Sequence, residues 1–275
     1  MKSLSPKKKY GQNFLSDAGL LSKIADCSDV SKDDDILEIG PGTGNLTKIL
    51  ASRAHSVTAV EIDRDLIPFV TVAAEPFGNT KVINEDIMKS DIGSLIPKDA
   101  EHLKVVANIP YYITTPLVTK LLSCGVPFES LVLLVQKEVA VRMAASPGSK
   151  DCGAISYFVS WRAEPKIMLE VPPEAFYPAP KVSSALIRLD IRKTLPFTVS
   201  DEKLMFSLIR AGIELRRKTF VNAISADSAL SGRFSKDMIT DALSSLSIDN
   251  NIRAERLTLS DFGALTDILS RKEKK

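Results

Sequence analysis

The chain has 275 residues, 44% of them hydrophobic, with 36 Lys and Arg against 34 Asp and Glu for a net charge of +2; this supports one large core plus a small appended domain and by itself says nothing about nucleic acid. Three widely spaced cysteines, Cys27, Cys124 and Cys152, form no C-x-x-C pair and leave only His55 and His102 beside them, which suits a reducing cytosol and predicts neither structural zinc nor any other metal site. No run approaches the roughly 18 apolar residues of a membrane span, and the basic N-terminus lacks an apolar leader core, so a soluble, cytoplasmic protein with no membrane partner is expected; a monomer is expected as well, although nothing in the sequence fixes the oligomeric state.

In chain order, the first signal is the basic run Lys7-Lys8-Lys9, a candidate phosphate contact. Asp35 to Ile39 then reads as a strand, Gly40-Pro41-Gly42-Thr43-Gly44 as a glycine loop, and Asn45 to Ala51 as a helix. Glycine backbone lets such a loop approach a ligand closely. A dinucleotide-binding loop would carry its third glycine at the position of Asn45, so a pyrophosphate ligand is disfavoured. The spacing downstream still suits a nucleoside. Ser56 to Val60 is β-like and ends in Glu61, 21 residues after Gly40, where an acid binds ribose hydroxyls. Lys81 to Asn84 is a third short strand, closed by Glu85 and by Asp86, whose carboxylate suits an adenine amine.

Val105 to Ala107 is a fourth strand, followed directly by Asn108-Ile109-Pro110-Tyr111. Alone, Asn-x-Pro-Tyr reads as a turn. At the carboxyl end of a strand, an amide, a backbone carbonyl and an aromatic face together make a receptor for an amino-bearing base. Pro116 to Ser123 reads as a helix, and Ala154 to Ala163 and Ser184 to Leu189 as two more β-like runs around the proline-rich loop Pro172 to Pro180, which carries Phe176. The strand and helix alternation predicts an α/β, parallel, doubly wound sheet.

A polar linker from Ile191 to Ser200 marks the expected boundary. Beyond it, Leu204, Leu208, Ile209 and Ile213 recur at helical spacing, with Arg216-Arg217-Lys218 expected in mid-helix. Asp237 to Leu246 and Leu259 to Ser270 are further helices, the last with Ser260-Asp261 as a cap. From residue 191 onward there are 15 Lys and Arg against 11 Asp and Glu, and before it 21 against 23. The final cluster, Lys272, Lys274 and Lys275, reads as a solubilising tail, whereas Lys7, Lys8, Lys9, Arg216, Arg217 and Lys218 are the candidate RNA contacts.

Several motifs together resemble the ribosomal RNA adenine dimethyltransferase family: Gly11-Gln12-Asn13-Phe14-Leu15, Glu38 to Gly42, Glu61-Ile62-Asp63, Asn108 to Tyr111, Gln136 to Val139, Val171-Pro172-Pro173 through Phe176 to Val182, Arg216 to Thr219 and Arg253 to Glu255. The resemblance covers nearly the whole chain. It implies a Rossmann-like, S-adenosylmethionine-dependent methyltransferase domain over residues 1–190 and a small C-terminal helical RNA-binding domain over 191–275. It also implies that Asn13, Leu15, Gly40, Gly42, Glu61, Asp86 and Asn108 contact S-adenosylmethionine, that Asn108, Ile109, Pro110 and Tyr111 receive the target adenine, and that Phe176 is a second aromatic wall. Tyr112 departs from the family pattern, where a small polar residue, commonly Asn, is usual.

The activity implied is transfer of methyl groups to N6 of two adjacent adenosines in a hairpin near the 3′ end of 16S rRNA, within a partly assembled small ribosomal subunit. Such an enzyme needs no covalent intermediate, because orienting two bound reactants is worth roughly 7–11 kcal/mol. The Asn108 side-chain oxygen and the Ile109 carbonyl would accept from the amine, making its delocalised nitrogen a better nucleophile. Two alternatives stay open: a large-subunit RNA methyltransferase of the antibiotic-resistance type, and an assembly factor that keeps the fold without turnover.

Overall fold

The computed structural model describes residues 6–147 and 149–273, apart from the side chains of Lys8 and Glu273. It divides into two compact units, one comprising residues up to Ala140 with Glu164–Ile191, the other Val141–Ala163 with Arg192 onward.

The first unit opens with a two-residue strand, β1 (Phe14–Leu15), and helix α1 (Ala18–Cys27), whose Asp17 cap accepts from Leu20 N–H at 2.9 Å. Then come β2 (Asp34–Ile39), α2 (Asn45–Arg53), β3 (Ser56–Glu61), α3 (Ile67–Ala74), β4 (Thr80–Asn84), the single turn α4 (Ile92–Leu95), β5 (His102–Asn108), α5 (Thr114–Ser123) and β6 (Ser130–Gln136). These strands pair in parallel in the order β4-β3-β2-β5-β6. Every residue of β2 is buried, as expected of a parallel strand covered on both faces. The order reverses at β2, which has β3 on one side and β5 on the other. That switch point leaves a crevice beyond the strands' carboxyl ends, the place where open α/β sheets bind ligands.

Helix α6 (Lys137–Ala144) follows β6, α7 (Ala154–Arg162) follows α6, and the sheet resumes with β7 (Ala163–Val171) and, after the two-residue β8 (Phe176–Tyr177), with β9 (Ser184–Ile191). Strand β9 is antiparallel to β6, with Ser130 opposite Asp190, and β7 forms the edge. Strand β8 pairs antiparallel with β1, Phe14 opposite Tyr177 and Leu15 opposite Phe176. That ribbon ties the proline-rich loop to the N-terminal segment.

The second unit is built from α7 together with α8 (Glu202–Glu214), α9 (Phe220–Ala226), α10 (Lys236–Ser245) and α11 (Leu259–Glu273). The β-like reading of Ala154 to Ala163 is corrected here: only Ala163 belongs to a strand, and the rest is α7. Its aromatic and branched residues have strand propensity, but Tyr157 and Trp161 lie one helical turn apart and are both fully buried in the core with Leu208, Phe220 and Phe262. The Tyr157 hydroxyl donates to the Leu257 carbonyl at 2.7 Å, and its ring meets Phe262 edge to face at 5.2 Å. Where the expected boundary was a single cut at 190/191, the second core thus recruits a segment inserted in sequence between β6 and β7.

Two further expectations change. Arg216, Arg217 and Lys218 do not lie in mid-helix: α8 ends at Glu214, and a turn closed by Lys218 N–H on the Leu215 carbonyl at 2.8 Å leads to the Thr219 cap of α9. The last helix is capped by Thr258 rather than Ser260, with Thr258 N–H on Asp261 at 2.7 Å and Asp261 N–H on the Thr258 hydroxyl at 3.2 Å. Lys274 and Lys275 lie outside the described residues.

Candidate active site

Beyond the ends of β2, β3 and β5 lies a cavity of about 280 Å³, floored by the glycine loop and β5, and closed on one side by the segment from Tyr10 to Leu15. The glycine loop has specific geometric needs. Gly42 has φ +61°, and a Cβ there would come within 3.2 Å of the Phe14 ring. At Gly44, φ is +80°, and a Cβ would lie 2.7 Å from the Ala73 methyl. The third glycine therefore serves the close approach of the loop to α3, a need distinct from pyrophosphate binding.

Glu61, at the end of β3, holds this loop in place. Its Oε2 accepts from Gly42 N–H at 3.1 Å and its Oε1 from Asp63 N–H at 2.8 Å. Burial pushes its carboxyl above the ordinary range, an effect these backbone donors partly offset. Each carboxylate oxygen keeps acceptor capacity for a ligand hydroxyl. Asp86 lies after β4 with Oδ1 on Met88 N–H at 3.0 Å, and it lines the cavity with Glu85.

Asn108 closes β5. Its amide Nδ2 donates to the Asn13 carbonyl at 3.1 Å, which fixes the amide plane and leaves Oδ1 with no hydrogen bond among the described residues. Next, Ile109 N–H donates to the Leu134 carbonyl at 3.2 Å, while no hydrogen bond among the described residues reaches the Ile109 carbonyl. Pro110 turns the chain into a short 3₁₀ segment, Tyr111–Ile113. The Tyr111 hydroxyl is 2.7 Å from the Ser184 hydroxyl of β9, and burial raises its pKa, opposed by that hydrogen bond. The ring is thus pinned at its tip. Tyr112 is 61% exposed at the cavity's edge, and a Cβ on Gly11 would touch its ring at 3.4 Å.

The structure accordingly gathers Asn13, Leu15, Gly40, Gly42, Glu61, Asp86, Asn108, Ile109, Pro110 and Tyr111 around one cavity. Phe176 is not among its lining residues: it is 5% exposed and packed in the core with Leu15, Leu21 and Val171. Three residues with no site role expected from the sequence hold the site together. Ser184 anchors Tyr111, and Gln12 accepts from Lys7 N–H at 2.8 Å while donating to Asp63 at 3.0 Å. Glu38 lines the cavity, buried; it and Gln12 were visible only as members of the motifs Glu38 to Gly42 and Gly11 to Leu15, and Ser184 has no local signature.

The basic residues fare unequally. Lys7 is turned inward, its Nζ 2.5 Å from Asp63 and 2.6 Å from Asp65, so it corrects the expectation of a free phosphate contact. Burial alone would raise the Asp63 carboxyl, but hydrogen bonds from Lys7, Gln12 and Asp65 N–H outweigh it and hold Asp63 below its ordinary value. Lys9 is exposed over the Tyr10 ring, and the side chain of Lys8 lies outside the described residues. In the helical unit, Arg216 is paired with Glu255 at 3.0 Å and donates to the Lys150 carbonyl at 2.9 Å. Arg217 and Lys218 are exposed and line an open cleft with Thr219, Asn222 and Lys236.

Among the described residues there is no group of His, Cys, Asp and Glu able to hold a metal ion, and no helix long and apolar enough to cross a membrane. A family model described as ribosomal RNA adenine dimethylase matches residues 4–270. The chain is 45% identical over 267 residues to a ribosomal RNA small subunit methyltransferase A of Alkaliphilus oremlandii, covering 96% of this chain and 92% of that one. It is 45% identical over 271 residues to a protein of the same name from Lachnoclostridium phytofermentans, covering 98% and 93%. Among solved structures, a dimethyladenosine transferase from Plasmodium falciparum is similar with TM-score 0.79 and 28% identity, covering 92% of this chain and 95% of that one. The 23S rRNA methyltransferase ErmE shares the fold, with TM-score 0.68 at 24% identity over 94% of this chain and 100% of its own.

Proposed function

The chain belongs to the ribosomal RNA adenine dimethylase family, and from that premise we propose that it transfers methyl groups from S-adenosylmethionine to N6 of two adjacent adenosines in a hairpin near the 3′ end of 16S rRNA. The observation that carries the reading is Asn108, whose amide is oriented by Asn13 so that an oxygen with no hydrogen bond among the described residues stands at the strand end beside Tyr111.

The cavity fits the cofactor by charge. Among the described residues its ionisable lining is Glu38, Glu61, Glu85 and Asp86 with three tyrosines, and it includes no Lys, Arg or His. An acidic, partly desolvated site selects a cation. S-adenosylmethionine supplies an electrophilic methyl on a positively charged sulfur. In this reading Glu61 would take the ribose hydroxyls, Asp86 the adenine amine and the glycine-loop backbone the amino-acid end.

The residues of the target motif then act on the nucleophile. Asn108 Oδ1 and the Ile109 carbonyl accept from the N6 amine of an extruded base, which favours a more tetrahedral nitrogen. Tyr111 stacks the base and aims N6 for in-line displacement. Phe176 would have to leave the core it occupies to take the base's other face. The proton lost by N6 passes to water, so no general base is assigned. Arg217 and Lys218 supply phosphate contacts in the helical unit. We further propose that the RNA is met within a partly assembled small subunit and that the protein acts as a monomer in the cytoplasm. The large-subunit alternative rests on likeness of fold alone.

The test is incubation with labelled S-adenosylmethionine and undermethylated small subunits, followed by mapping of the modified nucleosides. Label in two adjacent dimethylated adenosines near the 3′ end is expected. Label in large-subunit RNA, or none, would overturn the reading.

A further inference from the structure

Glu38 is the least satisfied polar group at the cavity. It lies in the middle of the buried sheet, on β2, with 1% of its surface exposed, and its Oε2 has no hydrogen-bond partner among the described residues. A buried carboxylate without a partner is costly. The groups facing it do not relieve that cost: α2 brings only the Thr47 hydroxyl, β3 brings the like charge of Glu61, and β5 sets Val106 opposite it. Elsewhere around the cavity the charged groups are Glu85 and Asp86, and the nearby cation Lys7 is committed to Asp63 and Asp65.

We propose that Glu38 is the counter-ion of the bound cofactor, carrying a proton when the cavity is empty and releasing it to solvent when a cationic ligand enters. The inference rests on the S-adenosylmethionine reading above. At neutral pH that molecule carries a sulfonium, an ammonium and one carboxylate, for a net single positive charge, and beside a neutral Glu38 that charge is left to Glu61, the half-buried Asp86 and the exposed Glu85. Ionising Glu38 adds a buried counter-charge to the site and gives Oε2 a partner. In the empty protein burial raises the Glu38 carboxyl, the Thr47 hydroxyl lowers it and Glu61 raises it, leaving it at about 8. Glu38 is thereby a positioning group that makes the site selective for a charged sulfur ligand and couples its occupancy to pH.

The experiment is calorimetric titration of the full-length protein with S-adenosylmethionine at pH 7 in buffers of different ionisation enthalpy. Close to one proton should be released per molecule bound, and the Kd should tighten about tenfold per pH unit up to pH 8 and level off above it. Glu38→Gln should abolish the release and flatten the pH dependence, and Glu38→Asp, which keeps a titratable carboxyl, should restore both. Infrared difference spectra of the unaltered protein should lose a protonated-carboxyl band when S-adenosylmethionine is added, a readout that depends on no variant. Binding without proton release, or release that persists unchanged in Glu38→Gln, overturns the role of Glu38 while leaving the cofactor reading intact. Failure of S-adenosylmethionine to bind the unaltered protein overturns both.

Discussion

At the residue scale, the amide of Asn108 is the group whose loss should be most selective. Its Nδ2 is already spent on Asn13, so Asn108→Ala removes an acceptor aimed at the amine without emptying a core. We expect a loss of roughly 2–4 kcal/mol in transition-state stabilisation, read as kcat/KM, with little change in melting temperature. Tyr111 separates two roles. Tyr111→Phe gives up the hydrogen bond to Ser184, at about 1 kcal/mol of stability, but keeps the stacking face; Tyr111→Ala should lose a further 1–3 kcal/mol of base binding. Equal and severe loss of methyl transfer in both would assign the function to the hydroxyl. Glu38 makes a prediction for stability as well. Its carboxyl titrates at about 8 in the folded protein against an ordinary 4.5, so between those values the unfolded chain has shed a proton that the native state retains. Stability of the ligand-free protein should therefore fall as pH rises from about 4.5 to 8 and level off above, and Glu38→Gln should lack that component of the slope. Melting curves at pH 5 to 9 check it.

At the element scale, the basic turn between α8 and α9 is divided in its duties. Arg216 is held by Glu255 and the Lys150 carbonyl, whereas Arg217 and Lys218 face the open cleft with Lys236. Arg216→Ala should lower thermal stability, although a half-exposed ion pair contributes only about 0–1 kcal/mol. The Arg217→Ala/Lys218→Ala double variant should leave melting and S-adenosylmethionine affinity unchanged and flatten the salt dependence of RNA binding by about 0.7–0.9 per lost phosphate contact. RNA titrations at several salt concentrations decide this, and an unaltered slope in the double variant would exclude these two side chains from the RNA interface.

At the scale of the whole molecule, the helical unit depends on α7, whose residues precede β7 in the chain. Trp161 is fully buried, donates to Glu202 at 3.1 Å and packs on Phe197. Trp161→Ala should cost about 3–5 kcal/mol. Limited proteolysis should then find the new cleavage sites in residues 141–163 and from 192 onward, within the unit whose core has been opened. New sites confined to the sheet strands would contradict the assignment of α7 to the second core.

The sequence by itself determined the parallel strands, the glycine loop and the place of Asn108 to Tyr111, because each is written in contiguous residues: buried apolar runs, glycines at positive φ, and a proline that ends a strand at its carboxyl end. For the same reason it located Glu61, the last residue of its strand, and Asp86, two residues beyond the next one. Only the tertiary structure decided what depends on partners distant in the chain. Ala154 to Arg162 has a strand-like composition but is a helix because Tyr157 and Trp161 are buried against distant partners, Leu257 and Glu202, which lie 100 and 41 positions away in the chain. Lys7 is a lysine in a basic run until Asp63, 56 residues on, takes its charge. Phe176 is in the core because β8 pairs with β1, and Glu38 holds its proton because the strands around it exclude water. Propensity and pattern act within a few residues, whereas burial and ion pairing are set by whatever the completed fold brings alongside.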